Sequence, residues 1–360
     1  MMEVLQRWFS RYFSDEQAIS LFLVLAVGLF TILLFGKMLA PVFAALVIAY
    51  LLQGLINSLQ TWGLSRFWAL PLVYLMFISL MLVSLVMLLP MVWKQTLTIV
   101  QVQLPKLLVA SEAWLRELPD RYPDMVSTGQ VNQIVADMHK YLAELGQHMV
   151  ATSLSLLPGL LDLMIFLVLL PLLVFFFLKD RFQLLEGLMA FLPNRRHLLA
   201  RVWQEMDSQI ANYVRGKALE ILIVGVSTYV VFALMGLKYS LLLAVLVGLS
   251  VVVPYIGATV VTLPVMVVAW GQFGWGGEFA MVMLAYGIIQ FIDGNILVPL
   301  LFSEAVNLHP VVIITAILFF GGLWGFWGVF FAIPLATLLK AVLRAWPAVA
   351  ADNEPPQPEA

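Results

Sequence analysis

Five stretches of this 360-residue chain carry no Lys, Arg, Asp or Glu: residues 17–36, 38–65, 67–93, 239–277 and 305–339, runs of 20, 28, 27, 39 and 35. A helix needs about 20 apolar residues to cross a hydrocarbon layer about 30 Å thick. Composition agrees, with 62% hydrophobic and only 11% charged residues, against about 25% charged in a soluble domain. Forty charges, 19 basic and 21 acidic, cannot cover a water-soluble surface of this size. The chain is therefore expected to be an all-α polytopic integral membrane protein.

Several functions fall away. With no Cys there is no disulfide framework, thiolate zinc site or thiol nucleophile. A net charge of −2 leaves no nucleic-acid footprint. No GxSxG, P-loop or HExxH pattern occurs, and His139, His148, His197 and His309 lack metal-ligand spacing. No catalytic residue, metal or cofactor is expected. The first apolar run is too long for a signal-peptide core and lacks a small-residue cleavage pattern, so it reads as the first span.

Charge marks the boundaries. Segments 94–152 and 179–217 hold 11 charges each. Around them we expect eight spans near 17–36, 38–60, 67–93, 155–178, 218–237, 240–271, 279–300 and 311–340. This divides the chain into N-terminal spans (1–93), an outward segment (94–152), a fourth span (153–178), a basic segment (179–217), a C-terminal core (218–345) and a disordered tail (346–360). Lys and Arg near span ends set orientation. Arg7 and Arg11, Arg66, seven residues from Lys179 to Lys217, and Lys340 with Arg344 all fall on one side if 240–271 crosses once. That side is the cytoplasm, holding both termini.

The outward segment carries two amphipathic stripes, Leu97, Val100, Leu104, Leu107, Trp114, Leu118 and then Val131, Ile134, Met138, Tyr141, Leu145, Met149, around a Pro119–Asp124 turn signal. They predict a periplasmic helical hairpin, kinked at Pro105, that either packs on itself or meets a neighbouring subunit or envelope partner. The basic segment, with Phe182, Leu185, Met189 and Leu192 on one stripe, suits helices lying in the headgroup plane on anionic lipid, or a gate attached to the moving core.

The informative residues interrupt apolar runs, because an ionisable group at mid-membrane costs about 3 kcal/mol and so faces protein or water. Asp162 follows Pro158-Gly159 and can cap at the interface. Glu220 follows Arg215-Gly216-Lys217 and suits a local ion pair or a pathway role. Gln290, Asp293, Gly294 and Asn295 break the run from 279 to 303 with turn chemistry, which at membrane depth must be buried in protein or line a wet cavity. Glu304, Asn307 and His309-Pro310 follow at the next boundary. Pro254, Tyr255, Ile256 and Gly257 predict a second break, and paired breaks of this kind build transport sites. Segments near 254–257 and 293–310 are thus expected to be broken or re-entrant. Gly321, Gly325 and Gly328 suit close helix packing.

These motifs carry a resemblance. Tyr213-Val214-Arg215-Gly216, Pro254-Tyr255-Ile256-Gly257, Gln290-x-x-Asp293-x-Asn295-Ile296-Leu297-Val298-Pro299, and Asn307-Leu308-His309-Pro310 through Gly321-Gly322, Gly325, Gly328 and Ile333-Pro334-Leu335 follow in order. The chain resembles the autoinducer-2 exporter family, and most its PerM-type permease branch, from about residue 10 to 345. It departs from the broader pattern at Lys217, where Gln is common; Ala258, where Pro is common; Asp293, where Glu is frequent; and Leu300, where a basic residue is usual. The resemblance implies a bacterial inner-membrane permease and a homo-oligomer, with a pentamer as one form. Members are described as signal exporters and as sodium/proton antiporters.

Three readings follow. In the first, a secondary transporter moves a small polar solute, such as an autoinducer-2-like signal, over Asp293, Asn295 and Gln290, with Pro254, Gly257, Gly294 and Pro299 exposing backbone groups and Asp293 carrying a proton. In the second, a cation/proton antiporter uses Asp293, Asn295, Glu304 and free carbonyls. In the third, a non-transporting scaffold recruits a partner through 94–152.

Overall fold

The computed structural model describes residues 16–36, 38–123, 126–190, 197–254, 256–302 and 308–352. Tyr255, Glu304, Asn307 and the end of the tail (353–360) lie outside them. All regular structure in the described residues is helical. By length and composition six helices can cross a membrane, or seven if Leu163–Lys179 and Arg181–Gly187, bent by 84°, form one span. This is an all-α polytopic membrane protein.

Helices α1 (Glu16–Phe35) and α2 (Ala40–Thr61) are followed by a continuous helical rod. It comprises α3 (Arg66–Val83), α4 (Leu89–Thr98) and α5 (Leu104–Arg121), joined by π-helical turns at Ser84–Leu88 and Ile99–Gln103. Each π turn stands two residues before a proline, Pro90 or Pro105. Proline donates no hydrogen bond and its ring collides with the carbonyl four residues back; a turn with one extra residue moves that carbonyl aside. The kink expected at Pro105 is therefore a widened turn.

The chain then reverses into α6 (Thr128–Lys179), a single helix of 52 residues opened by a Ser127/Gln130 capping box. The hairpin of residues 94–152 is thus made of extensions of two apolar helices. Val131 and Val135 are buried, while Trp114, Ile134 and Tyr141 stay exposed, so the packed face is turned from the stripe read in the sequence. Glu112 joins the two arms, accepting from Arg116 and bonding His139 at 3.1 Å. The Arg116 bond first, and the His139 bond second, hold its carboxyl below the usual range.

Beyond α6 the chain bends into α7 (Arg181–Ala190), then α8 (His197–Leu234) runs unbroken through the basic segment. The boundary expected at residue 217 falls inside this helix. Lys217 looks interfacial in sequence because it is charged, but its charge is matched within the protein.

The break expected near 254–257 is present, and it makes 240–271 a hairpin rather than the single crossing that charge parity favoured. Helix α9 (Ser240–Ser250) has 11 residues, about 16 Å at 1.5 Å each, half a bilayer core. The chain turns after Ser250 and returns as α10 (Ile256–Phe273). At the tip, a Cβ on Gly257 would lie 1.8 Å from the Ser250 carbonyl oxygen, so only glycine permits this reversal. At the base, the Gln272 side chain accepts from Lys238 N at 2.7 Å and donates to Gly236 O at 2.9 Å. Both ends therefore stand beside the Leu234 end of α8.

Helices α11 (Gly277–Ile292) and α12 (Val298–Phe302) flank a third π turn, Asp293–Leu297, again two residues before a proline, Pro299. The Asp-Gly-Asn sequence, read as an unwound turn, remains helical here: Val298 N–H reaches the Asp293 carbonyl, five residues back. The expected span 311–340 also folds on itself. Helix α13 (Pro310–Phe330) bends at Gly325 (φ 61°, ψ −136°) before α14 (Ala332–Asp352). A Cβ on Gly328 would lie 1.9 Å from Phe320 O, and Ile313, Ala316 and Ile317 pack against Ile333 and Ala336. The glycines thus make a reversal, with Gly325 the turn residue. Val342 clusters with Val202, Met206 and Leu21, so this hairpin is rooted at the Val202 end of α8, opposite the first. Helix α14 continues to Asp352, into the segment expected to be disordered.

Candidate functional site

Three elements meet halfway along α8 around a cavity of about 440 Å³. Helix α8 contributes Tyr213, Lys217 and Glu220, which at spacings of four and three share one face. The first hairpin contributes Val251, Val253, Pro254, Ala258 and Thr259 from its tip. The α11–α12 segment contributes Gln290, Asp293, Gly294, Val298 and Phe302, and the second hairpin closes the wall with Ile313 and Ile333.

An ion pair anchors this wall. Lys217 Nζ donates to Glu220 Oε2 at 2.6 Å and to Val251 O at 2.8 Å. It also lies 5.2 Å from the centre of the Phe302 ring. Lys217 is 3% and Glu220 2% exposed. The Val251 carbonyl is free to accept because the chain leaves the helix at Ser250, so the break supplies a ligand for the lysine. Phe302 reaches the lysine because Gly216 is bare: a Cβ there would lie 2.8 Å from the ring. Tyr213 Oη donates to Phe330 O at 2.9 Å, tying α8 to the second hairpin.

The α11–α12 wall has polar atoms without a hydrogen-bond partner. Asp293 is 8% exposed; its Oδ1 and the Gln290 Nε2 are buried without a hydrogen-bond partner. At i and i+3 they stand side by side, offering one acceptor and one donor to whatever fills the space.

Of the residues singled out from sequence, Gln290, Asp293, Gly294, Glu220 and Pro254 line the cavity, and Gly257 shapes its hairpin. Asn295 does not join them. It is exposed and donates to Phe291 O in its own helix at 2.9 Å. Pro299 is exposed one turn beyond. Arg215 points away, donating to Ala211 O at 3.1 Å and resting against Gly54. Gly321, Gly325 and Gly328 form the second hairpin's turn and do not line the cavity. Tyr255 and Glu304 lie outside the described residues, as does the side chain of Asp162. Sequence reading underrated Lys217, Phe302 and the Val251 carbonyl; the shared face of Tyr213, Lys217 and Glu220 was the available signal.

Comparison with known proteins identifies the family. The profile of a family described as AI-2E family transporter matches residues 21–348. The inferred permease PerM of Escherichia coli (strain K12) is 49% identical over 347 residues, covering 96% of this chain and 98% of that protein. The inferred transport protein YrrI of Bacillus subtilis (strain 168) is 30% identical over 193 residues, 53% of this chain and 54% of its own length. YueF of the same organism is 26% identical over 220 residues, 61% and 58%. With the profile covering nearly its whole length, the chain belongs to the AI-2E transporter family.

Proposed function

We propose that this protein is a secondary transporter of the bacterial inner membrane that carries a small polar solute through the cavity beside Asp293, with both termini in the cytoplasm because doubling back both 240–271 and 311–340 removes two crossings and keeps the parity. The observation that carries the reading is the pair of buried groups without a hydrogen-bond partner, Asp293 Oδ1 and Gln290 Nε2, on one wall of a cavity beside the middle of α8. Unmet polar groups in such a place are costly unless a ligand or water satisfies them. A hydroxyl that donates to Asp293 beside an oxygen that accepts from Gln290 is the complement, which suits a hydroxylated, uncharged solute such as an autoinducer-2-like signal. Protonation of Asp293 is the natural coupling step, since a neutral acid moves through apolar surroundings more cheaply than a carboxylate. The two hairpins, rooted at opposite ends of α8, supply elements that can open the cavity to either side in turn.

The test uses purified protein in liposomes containing a trapped pH dye, challenged with the autoinducer-2 signal and separately with sodium. Wild type should move protons with the signal, and Asp293→Asn should insert normally yet lose that movement. Undiminished coupled transport by Asp293→Asn would refute the role of Asp293. A response to sodium alone would replace solute transport with cation/proton antiport.

A further inference from the structure

The ammonium of Lys217 is surrounded as a free cation would be. Its neighbours are a carboxylate oxygen of Glu220 at 2.6 Å, a backbone oxygen of Val251 at 2.8 Å and the face of Phe302 at 5.2 Å. Carboxylate, carbonyl and π face each attract monovalent cations. They come from three different elements, and two of them depend on special backbone: the hairpin break that frees Val251 O, and Gly216, which admits the ring. Across the same cavity Asp293 holds a buried oxygen with no partner. Two buried carboxylates therefore face one lysine. The lysine side chain is 4% exposed.

We infer that Lys217 is a tethered cation occupying an intramembrane site for a monovalent cation, built from Glu220 Oε2, Val251 O and the Phe302 ring, with Asp293 Oδ1 in reserve. In the wild type the site is filled from within, so sodium has no place there. Removing the lysine side chain opens the site to Na+, Li+ or a small ammonium ion, which enters through the adjoining cavity. The inference uses the reading of that cavity as a solute path only for the ion's access, and its test is a binding measurement that needs no flux.

The experiment follows thermal unfolding of purified protein in detergent, in sodium chloride against N-methylglucamine chloride, whose cation is too large for the site. Wild-type Tm should be the same in both. Lys217→Ala should unfold at lower temperature in N-methylglucamine and recover by about 3–5 °C, saturably, with sodium or methylammonium, because a ligand that binds only the folded state stabilises it. Lys217→Ala combined with Glu220→Ala should lose the response. Because the chain has no cysteine, Lys217→Cys can be modified at that position alone; 2-aminoethyl methanethiosulfonate restores an ammonium and should abolish the sodium effect. A sodium-dependent rise in the wild type, or a folded Lys217→Ala protein indifferent to every small cation, overturns the inference. If Lys217→Ala does not fold, Lys217→Ser, whose short side chain also leaves the site open, is read by the same criterion. A sodium response without wild-type flux would leave the cation site standing and remove the transport reading; flux without a response does the reverse.

Discussion

Replacing Gly257 by Ala tests whether the first hairpin is as tight as described. The new Cβ would lie 1.8 Å from Ser250 O, 2.6 Å from Ser250 C and 3.2 Å from Ser250 Cα. All three are backbone atoms, so no side-chain rotation relieves them. Reaching ordinary contact near 3.4 Å requires the arms of the reversal to part by roughly 1.5 Å, and overpacking of this kind costs about 3 kcal/mol or more. The displaced atoms lead directly into Val251, whose carbonyl binds Lys217 at 2.8 Å, so the cavity wall should suffer with the fold. Gly294→Ala is the matched control: the residue lines the same cavity, but a Cβ there would meet nothing within 4 Å. Unfolding in detergent, followed by tryptophan fluorescence, should show Gly257→Ala melting several degrees below wild type (a shift on the order of 5 °C) and Gly294→Ala unchanged. A Gly257→Ala protein as stable as wild type would refute the close reversal. Equal losses in both variants would refute its being local.

Other outcomes follow from single contacts. Tyr213→Phe removes the donor to Phe330 O, leaving a buried carbonyl unmet, and should lower stability by about 1–3 kcal/mol in the same melt without altering membrane insertion; an unchanged melt would mean the carbonyl finds another donor. In the hairpin of residues 94–152, Glu112 has a carboxyl held below its usual value of 4.5, by Arg116 first and His139 second. Its contribution is present above pH 4.5 and lost as pH falls through the lowered value. Hydrogen exchange in α5 should therefore be faster, relative to Glu112→Gln at the same pH, near pH 3 than near pH 7; equal ratios would show that the bridge adds nothing.

The uncharged runs located the apolar segments because burial in lipid leaves no alternative for them. They did not distinguish a straight helix from one doubled back, since residues 240–271 and 311–340 satisfy lipid equally well either way. What separates them is small: Gly257, where a Cβ meets Ser250, and Gly325 with Gly328, where the chain turns and passes Phe320. Asp293 was found from its charge in an apolar run, and it faces the cavity. Asn295, two residues later, was grouped with it by proximity in sequence, but the π turn leaves it on the exposed face, bonded within its own helix. Lys217 was counted with the seven basic residues of the interfacial segment 179–217, and a local ion pair with Glu220 was the contact expected of it. Its partners include a backbone carbonyl 34 residues away, a contact no local pattern announces.

The hairpin of residues 94–152 has no joint between its polar and apolar parts along α6, which is one helix of 52 residues, about 78 Å end to end. Such a rod is a lever. A tilt of about 5° at its apolar end carries the far end through about 7 Å. The opposing rod touches the first hairpin near its base, where Gln95 Oε1 accepts from Leu242 N at 3.1 Å. If the first hairpin moves at its base, this contact would pass the displacement to the rod that packs against α6.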